Sequence, residues 1–343
     1  MPKPILSISI PTYNRAEYLD MNLKQLSNEL ISVSHVEIEI IVSDNSSTDN
    51  TEQVVQKFIK EGLSVRYYRN SENLGWGKNF FQCFNLSTGK YVLLLGDDDF
   101  LYDGVLSKIV NNLMSGEYGI VFLKPYGFDN NFQKEYPGSF GKTILYNNRN
   151  DFLIKMGPSI TLLSACIINK SLISDFNTSA INPGNFAHLH LILYAIKKSA
   201  CNLYVGTYCI GSKRNNSSSY IFSKVFVQEF WQIMDNNISK EISRDLIKKL
   251  EWDQLFSYYP YYLTVQQINR SKDLLYAWDD FSKRFSGRSI FIFWVAPIIR
   301  LPRIPAIIWG VVTVLVGRTF NGDFLRGVAF LFKKIKKIIL YEI

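Results

Sequence analysis

The first 123 residues repeat one pattern of apolar and polar positions. Short apolar runs alternate with stretches in which apolar residues recur every three or four positions. Residues 5–10 are apolar, and Pro11-Thr12-Tyr13-Asn14-Arg15 then turns the chain. Residues 15–31 carry Leu19, Leu23, Leu26 and Leu30 at helical spacing. Residues 36–42 read as a second strand, ending in Ser43-Asp44-Asn45-Ser46-Ser47-Thr48-Asp49. Residues 51–61 read as a helix, with Val54, Val55 and Phe58 on one face. A third strand, 65–68, runs into Arg69-Asn70-Ser71-Glu72-Asn73-Leu74-Gly75, and a third helix covers 76–86. Residues 91–95 form a fourth, continuously apolar strand. Asp103 is placed to cap a fourth helix reaching Met114, and 119–123 close a fifth strand. Such alternation predicts a doubly wound, mostly parallel sheet. Ligands of these sheets bind beyond the carboxyl ends of the strands. Each polar cluster named here lies at such an end.

The fourth strand ends abruptly in Gly96-Asp97-Asp98-Asp99. Adjacent carboxylates repel one another unless a cation sits among them. Oxygen-only ligands suit Mg²⁺ or Mn²⁺, which keep open positions for substrate phosphates. The bland alternative is a solvated acidic loop.

Taken in order, the Pro-Thr-Tyr-Asn-Arg turn, the Asp-Asn-Ser-Ser-Thr-Asp turn, the Asn-x-Gly and the acidic triplet resemble family 2 glycosyltransferases. The resemblance covers residues 4–125 well and 150–220 loosely. It implies a GT-A fold, a nucleotide diphosphate sugar donor and Mn²⁺ or Mg²⁺ as cofactor. Gly96 departs from the family's usual Asp-x-Asp-Asp. With a later histidine, that variant is similar to the abequosyltransferase-type enzymes of O-antigen assembly. By the resemblance, Pro11, Thr12, Tyr13 and Arg15 form part of the donor site, Thr12 and Tyr13 contacting the base. Asp44 would accept a hydrogen bond from the base's edge; the competing role is a turn residue bonding its own backbone. Asn73, Gly75, Lys78 and Asn79 make a third cluster, in which Gly75 permits a tight turn. Lys78 either balances phosphate charge or is an exposed helical lysine. Thr48 and Asp49 read as helix caps. Asp98 falls on the metal ligand of the family, Asp97 on a variable donor-site position, and Asp99 supports the loop or holds a metal-bound water.

Residues 164–169 read as a strand, 187–198 as a helix and 201–208 as a strand. Family 2 enzymes usually place Glu-Asp at the start of that helix, with Asp as general base. This chain has Ala187-His188-Leu189-His190, and in register His188 takes the base position. A neutral histidine is a competent base near neutral pH. His190 reads as a packing residue, and Asp175 and Asp151 remain as alternative bases. Ser212 to Ser217 is a basic loop in which Arg214 would grip phosphate bidentately or belong to an ordinary surface turn.

Composition narrows the partners. The net charge is +8, yet residues 283–343 hold eleven Lys or Arg against Asp323 and Glu342, leaving the other 282 residues at −1. A basic excess confined to a tail argues against nucleic acid binding. The four cysteines show no zinc-type spacing and suit a reducing cytosol. The first strand starts by Ile5, so no signal peptide is expected. Residues 289–317 are mostly apolar but broken by Arg300, Arg303 and three prolines; the longest clean run, 304–317, is shorter than the ~20 residues of a straight span. Residues 328–339 add Lys333, Lys334, Lys336 and Lys337. A membrane-associating tail fits best, against a buried extension or a dimer surface.

The sequence therefore predicts a GT-A domain over 1–220, with donor half 1–125 and acceptor half 126–220. A helical extension, 221–288, and a membrane-associating tail, 289–343, would follow. The expected acceptor is a polyprenyl-diphosphate-linked glycan at the cytoplasmic face of the inner membrane. The rivals are a nucleotidyltransferase, which would show a Gly-rich loop after the first strand, and a non-catalytic scaffold with a degenerate domain. The oligomeric state is left open.

Overall fold

The computed structural model describes residues 3–33, 38–138, 141–214, 220–239 and 242–320. The chain divides into two compact units, residues 1–218 and 219–343.

The first unit is built on one nine-stranded sheet. Its strands are β1 (Leu6–Thr12), β2 (Ile38–Asp44), β3 (Val65–Arg69), β4 (Tyr91–Leu94), β5 (Asp99–Leu101), β6 (Ile120–Phe128), β7 (Ile144–Tyr146), β8 (Cys166–Asn169) and β9 (Asn202–Lys213). The order is β3-β2-β1-β4-β8-β6-β9-β5, with β7 also on β9. Helices α1 (Ala16–Ile31), α2 (Thr51–Lys60), α3 (Trp76–Leu86), α4 (Val105–Ser115), α5 (Arg149–Met156) and α6 (Ala187–Lys198) connect them. The leucines at helical spacing in α1 face inward: Leu19, Leu23 and Leu26 are buried with Ile8, Ile10, Val42 and Leu93 in the main core.

The sheet is mixed rather than mostly parallel. β1, β2, β3 and β4 pair parallel, as the alternating pattern predicts. β8 then inserts antiparallel between β4 and β6, and β5 and β7 pair antiparallel with β9. β5 begins at Asp99 itself, so the acidic loop is a four-residue link, 95–98, between two strands. Asp103 does not cap α4. Gly104, in the left-handed region at φ 72°, is the N-cap, and the carboxylate of Glu29 takes the amide hydrogens of Gly104 and Leu106.

The second unit is helical: α7 (Phe230–Asn236), α8 (Arg244–Asp253), α9 (Tyr259–Ile268), α10 (Leu274–Phe285), α11 (Ala296–Arg300) and α12 (Arg303–Phe320). Its core is aromatic. Trp231 donates to the Tyr259 hydroxyl at 2.8 Å, and that hydroxyl donates to the Phe226 carbonyl at 2.9 Å. Buried Glu251 is held by both Arg284 and Arg288. The clean apolar run 304–317 lies within α12, one 18-residue helix of mean hydropathy 1.4. At 1.5 Å per residue it is about 27 Å long, enough by length and composition to cross a bilayer. Its buried positions are Ala306, Gly310, Thr313, Val314 and Gly317, while Ile304, Ile308 and Val312 are exposed. The lysine-rich stretch 328–339 lies outside the described residues.

Candidate functional site

The ends of β1, β2, β3 and β4 bring the first four polar clusters together. The backbone turn after β1 is fixed first. Asn14 adopts a left-handed φ of 52°. Its amide donates to Ser47 Oγ at 2.9 Å and its side-chain oxygen accepts from the Thr48 amide at 2.7 Å. Ser46, at φ 69°, is left-handed too. Two non-glycine residues in this region on touching loops mark a conformation that the surroundings impose. Asp49 ties the two helix starts, taking the amide hydrogens of Ala16 and Thr51. The turn leaves the Tyr13 ring 42% exposed.

The acidic loop is pinned side chain by side chain. Asp97 accepts from Thr12 Oγ1 at 2.8 Å and meets Arg15 Nε at 3.0 Å. Asp98 meets Arg15 Nη2 at 2.8 Å and keeps more exposure than its neighbours. Asp99 turns the other way, accepting from Ser164 Oγ at 2.5 Å, from the Ser212 side chain and from the Lys213 amide. Ser164 Oγ also takes the Gly96 amide hydrogen at 2.9 Å. Beneath the loop, buried Asn22 donates to the carbonyls of Gly96 and Asp99. Burial pushes Asp97 up to about 7, against the pull of Arg15. Burial, reinforced by the charge of Asp98, pushes Asp99 up to about 7 as well.

Several expected donor contacts are spent inside the protein. Thr12, expected against the base, gives its hydroxyl to Asp97. Asp44 is 0% exposed. It accepts from the Ser47 amide at 2.9 Å and the Tyr67 hydroxyl at 2.7 Å, with Arg69 Nε at 3.6 Å. Its turn role is thus realised, with Tyr67 as a partner that no motif announced. Asn73 accepts from Asn45 and from the Gly75 amide, and Gly75 takes φ 83°, a conformation side chains resist. Asn45, Asn70, Asn79 and Gln82 complete an amide network between the ends of β2 and β3 and helix α3. Lys78 is exposed. Arg214 lies over Gly127, where an added Cβ would fall 2.5 Å from its Nε, and faces Asp129 and Glu135 at 3.6 and 3.9 Å. The rest of its loop, 215–217, lies outside the described residues. Pro11 closes β1 opposite Ser43.

Among the described residues, no three His, Cys, Asp or Glu side chains converge on one point. Asp99, expected to support the loop or hold a metal-bound water, accepts from three donors. The site fits a hard cation held by Asp98 alone among the protein's carboxylates, the remaining ligands being water and donor phosphate. Asn22 and Ser164, which build this loop together with Ser212, belong to no motif that the sequence announced.

His188 occupies the first turn of α6 and is 2% exposed. The rings of Trp76, Phe80 and Phe186 surround it at centroid distances of 6.4, 5.9 and 5.9 Å. Nε2 lies 3.0 Å from the Thr161 carbonyl, so the hydrogen is on Nε2. Nδ1 is buried without a hydrogen-bond partner. Burial lowers the imidazole pKa to about 4. Of the alternative bases, Asp175 is engaged by other side chains. Asp175 pairs with Lys198 at 2.6 Å and Tyr194 at 2.9 Å on the surface, and its pKa is lowered, chiefly by Lys198. Asp151 sits in the first turn of α5, where its amide donates to Asn148.

Comparison with known proteins places this geometry in context. The model of glycosyl transferase family 2 matches residues 7–176. The chain is 29% identical over 214 residues to abequosyltransferase RfbV of Salmonella typhimurium, covering 58% of this chain and 63% of that protein. It is 30% identical over 202 residues to the GalNAc(5)-diNAcBac-PP-undecaprenol beta-1,3-glucosyltransferase of Campylobacter jejuni, covering 57% and 61%. The chain thus spans about three fifths of the length of these curated relatives. Residues 1–349 of S. aureus TarS with UDP-GlcNAc share the fold at TM-score 0.60 and 16% identity, over 93% of this chain and 92% of that one. Mannosyltransferase PcManGT of Pyrobaculum calidifontis, in complex with GDP-Man and Mn²⁺, shares it at TM-score 0.54 and 14% identity, over 98% and 88%.

Proposed function

We propose, from the premise that residues 7–176 are a family 2 glycosyl transferase domain, that this chain moves a sugar from a nucleotide diphosphate to a hydroxyl of a lipid-linked glycan. The observation that carries the reading is the acidic loop. Asp97 and Asp99 are buried and tied down, and Asp98 is left at the strand ends beside a guanidinium. That arrangement suits a leaving diphosphate. The donors named for TarS and PcManGT support a nucleotide diphosphate sugar. The Campylobacter relative supports a polyprenyl-diphosphate-linked acceptor. Mn²⁺ or Mg²⁺ at Asp98 would neutralise charge on the departing diphosphate.

The protein's own groups have defined work. Tyr13, exposed beside the Asp44 turn, offers a ring face to the base. Arg15 offers two parallel N–H groups to phosphate. The acceptor hydroxyl attacks the anomeric carbon as the bond to the β-phosphate oxygen breaks, and Nδ1 of His188 takes its proton. The lone pair on Nδ1 is available because Nε2 holds the hydrogen. Half-exposed Trp76 is the wall of the cage through which the acceptor reaches it. Attack opposite the leaving group inverts the anomeric centre. Apolar Ile304, Ile308 and Val312 on α12 and the basic tail would hold the enzyme peripherally on the cytoplasmic face of the membrane, each lysine near anionic lipid contributing about 1 kcal/mol.

The test is a thermal-shift screen of UDP-, GDP- and CDP-sugars with Mn²⁺, followed by donor hydrolysis. A recognised donor at a hundredfold its Kd stabilises by about 2.7 kcal/mol. No shift and no hydrolysis with any donor, in the presence of Mn²⁺ and a lipid-linked acceptor, would favour the scaffold reading.

A further inference from the structure

Arg15 stands where a cation is wanted. Its Nε lies 3.0 Å from Asp97 and its Nη2 2.8 Å from Asp98. Both nitrogens are buried, and neither has a hydrogen-bond partner. The guanidinium is therefore held by charge, without directed hydrogen bonds. Its neighbours are held differently. Thr12 donates to Asp97, and Ser164 donates to Asp99. Those bonds persist if Arg15 moves. The backbone that carries Arg15 is fixed by the Asn14 turn, so motion is confined to the side chain. The Tyr18 ring, 4.8 Å below the guanidinium, gives it a surface to slide on.

We propose that Arg15 is a resident counter-ion, which neutralises the acidic loop before donor binds and leaves Asp98 for the donor's phosphates when a divalent cation arrives. The inference rests on the metal-dependent reading above. Two cations cannot share one partly exposed carboxylate without repulsion. Without phosphate, Arg15 and the metal compete. With phosphate, Arg15 gains a bidentate partner and the competition is relieved. Metal and diphosphate then tighten one another reciprocally. The arrangement keeps the loop from holding a divalent cation idly and links its capture to the donor.

The experiment measures Mn²⁺ binding to the full-length protein by the EPR signal of free Mn²⁺, alone and with UDP, GDP or CDP. Wild type should bind Mn²⁺ weakly alone and about tenfold tighter with the diphosphate it recognises. Arg15→Met should bind Mn²⁺ alone roughly fivefold tighter than wild type, as expected on removing a partly exposed competing charge. Its gain from diphosphate should fall below about threefold. Arg15→Lys, which keeps the charge and loses the fork, should match wild type for Mn²⁺ alone and gain less from diphosphate. If Arg15→Met folds and binds Mn²⁺ alone no tighter than wild type, the counter-ion role is overturned. Should Arg15→Met fail to fold, a Lys variant with a full diphosphate gain overturns it equally. Absence of Mn²⁺ binding in wild type with every diphosphate, together with an unchanged Asp98→Asn, overturns the metal-dependent reading itself.

Discussion

The acidic loop and the His188 cage sit in one domain and solve opposite problems. In the loop, charge is abundant and the carboxylates of Asp97 and Asp99 are met by directed donors. Thr12 donates to Asp97, Ser164, Ser212 and the Lys213 amide donate to Asp99, and Asn22 holds the carbonyls of Gly96 and Asp99. In the cage, charge is suppressed. One imidazole lies among three rings, with one nitrogen satisfied and the other not. A buried polar atom without a partner costs about 1–3 kcal/mol, and a fold keeps such an atom where something else uses it. The difference separates two tasks. On the proposed function, the loop holds a position for charge that arrives with the donor, and the cage keeps a base neutral until a hydroxyl reaches it.

The sharpest way to break the comparison is Asp98→Asn. This variant removes the one carboxylate of the triplet that faces outward and leaves the pinned pair in place. Turnover is expected to fall by ~10³-fold, the scale of several kcal/mol of lost charge stabilisation, with the circular dichroism spectrum unchanged. Full activity in this variant, or in excess EDTA, would remove the metal from the site.

Next in size, His188→Ala should lower kcat by about 10²-fold or more while nucleotide affinity stays within about twofold of wild type, since the imidazole is in the cage and not at the loop. If His188→Ala keeps wild-type kcat and Asp175→Ala is inactive, the register that assigned the base is wrong.

The same histidine sharpens the comparison through pH. Burial lowers its pKa from the ordinary 6.5 to about 4 in the folded protein. An unfolded chain therefore binds the proton first as pH falls. The stability this group contributes is present above 6.5 and is lost as pH falls toward 4, by a few kcal/mol. Asp97 and Asp99 are shifted upward, so their contribution has the opposite sign, present below 3.8 and lost as pH rises through about 7. Urea unfolding between pH 4 and 7 should show a shallower acid loss in His188→Ala than in wild type. An identical slope in the two proteins would mean that the imidazole is not desolvated.

Ser164→Ala tests the loop's satisfaction directly. It strips a donor from Asp99 and an acceptor from the Gly96 amide, and about 1–3 kcal/mol of stability should go with them. A change under 0.5 kcal/mol by urea unfolding would show the pinning to be dispensable. The smallest effect concerns the second unit. Ile308→Asp on the exposed face of α12 should reduce sedimentation with anionic liposomes by roughly two- to fivefold, as one residue of a larger apolar face. Release of wild type by high salt should be partial, because only the charged share of binding is screened. Complete release would leave the apolar face without a role at the membrane.

The sequence by itself determined the alternating elements from β1 to β4 and the end of the sheet at which their polar clusters gather. Period-3.6 leucines and a continuous apolar run are local properties, so α1 and β4 could be read without knowing their neighbours, and the carboxyl ends of β1 to β4 followed. Strand order was not legible. Nothing in residues 166–169 says that they enter between β4 and β6 in the antiparallel sense, because pairing depends on hydrogen bonds to strands distant in the chain. The side-chain roles divided in the same way. Asp98 and His188 were candidates from position and chemistry alone. What each does depends on who reaches it first. Arg15 from the turn after β1, Ser164 from the segment before β8 and Ser212 from β9 converge on the short acidic link and the start of β5 only when the sheet closes. Trp76, Phe80 and Phe186 enclose His188 only when α3 packs near α6. Burial and partnership are properties of the assembled space, and they set which carboxylate faces outward and which nitrogen keeps its lone pair.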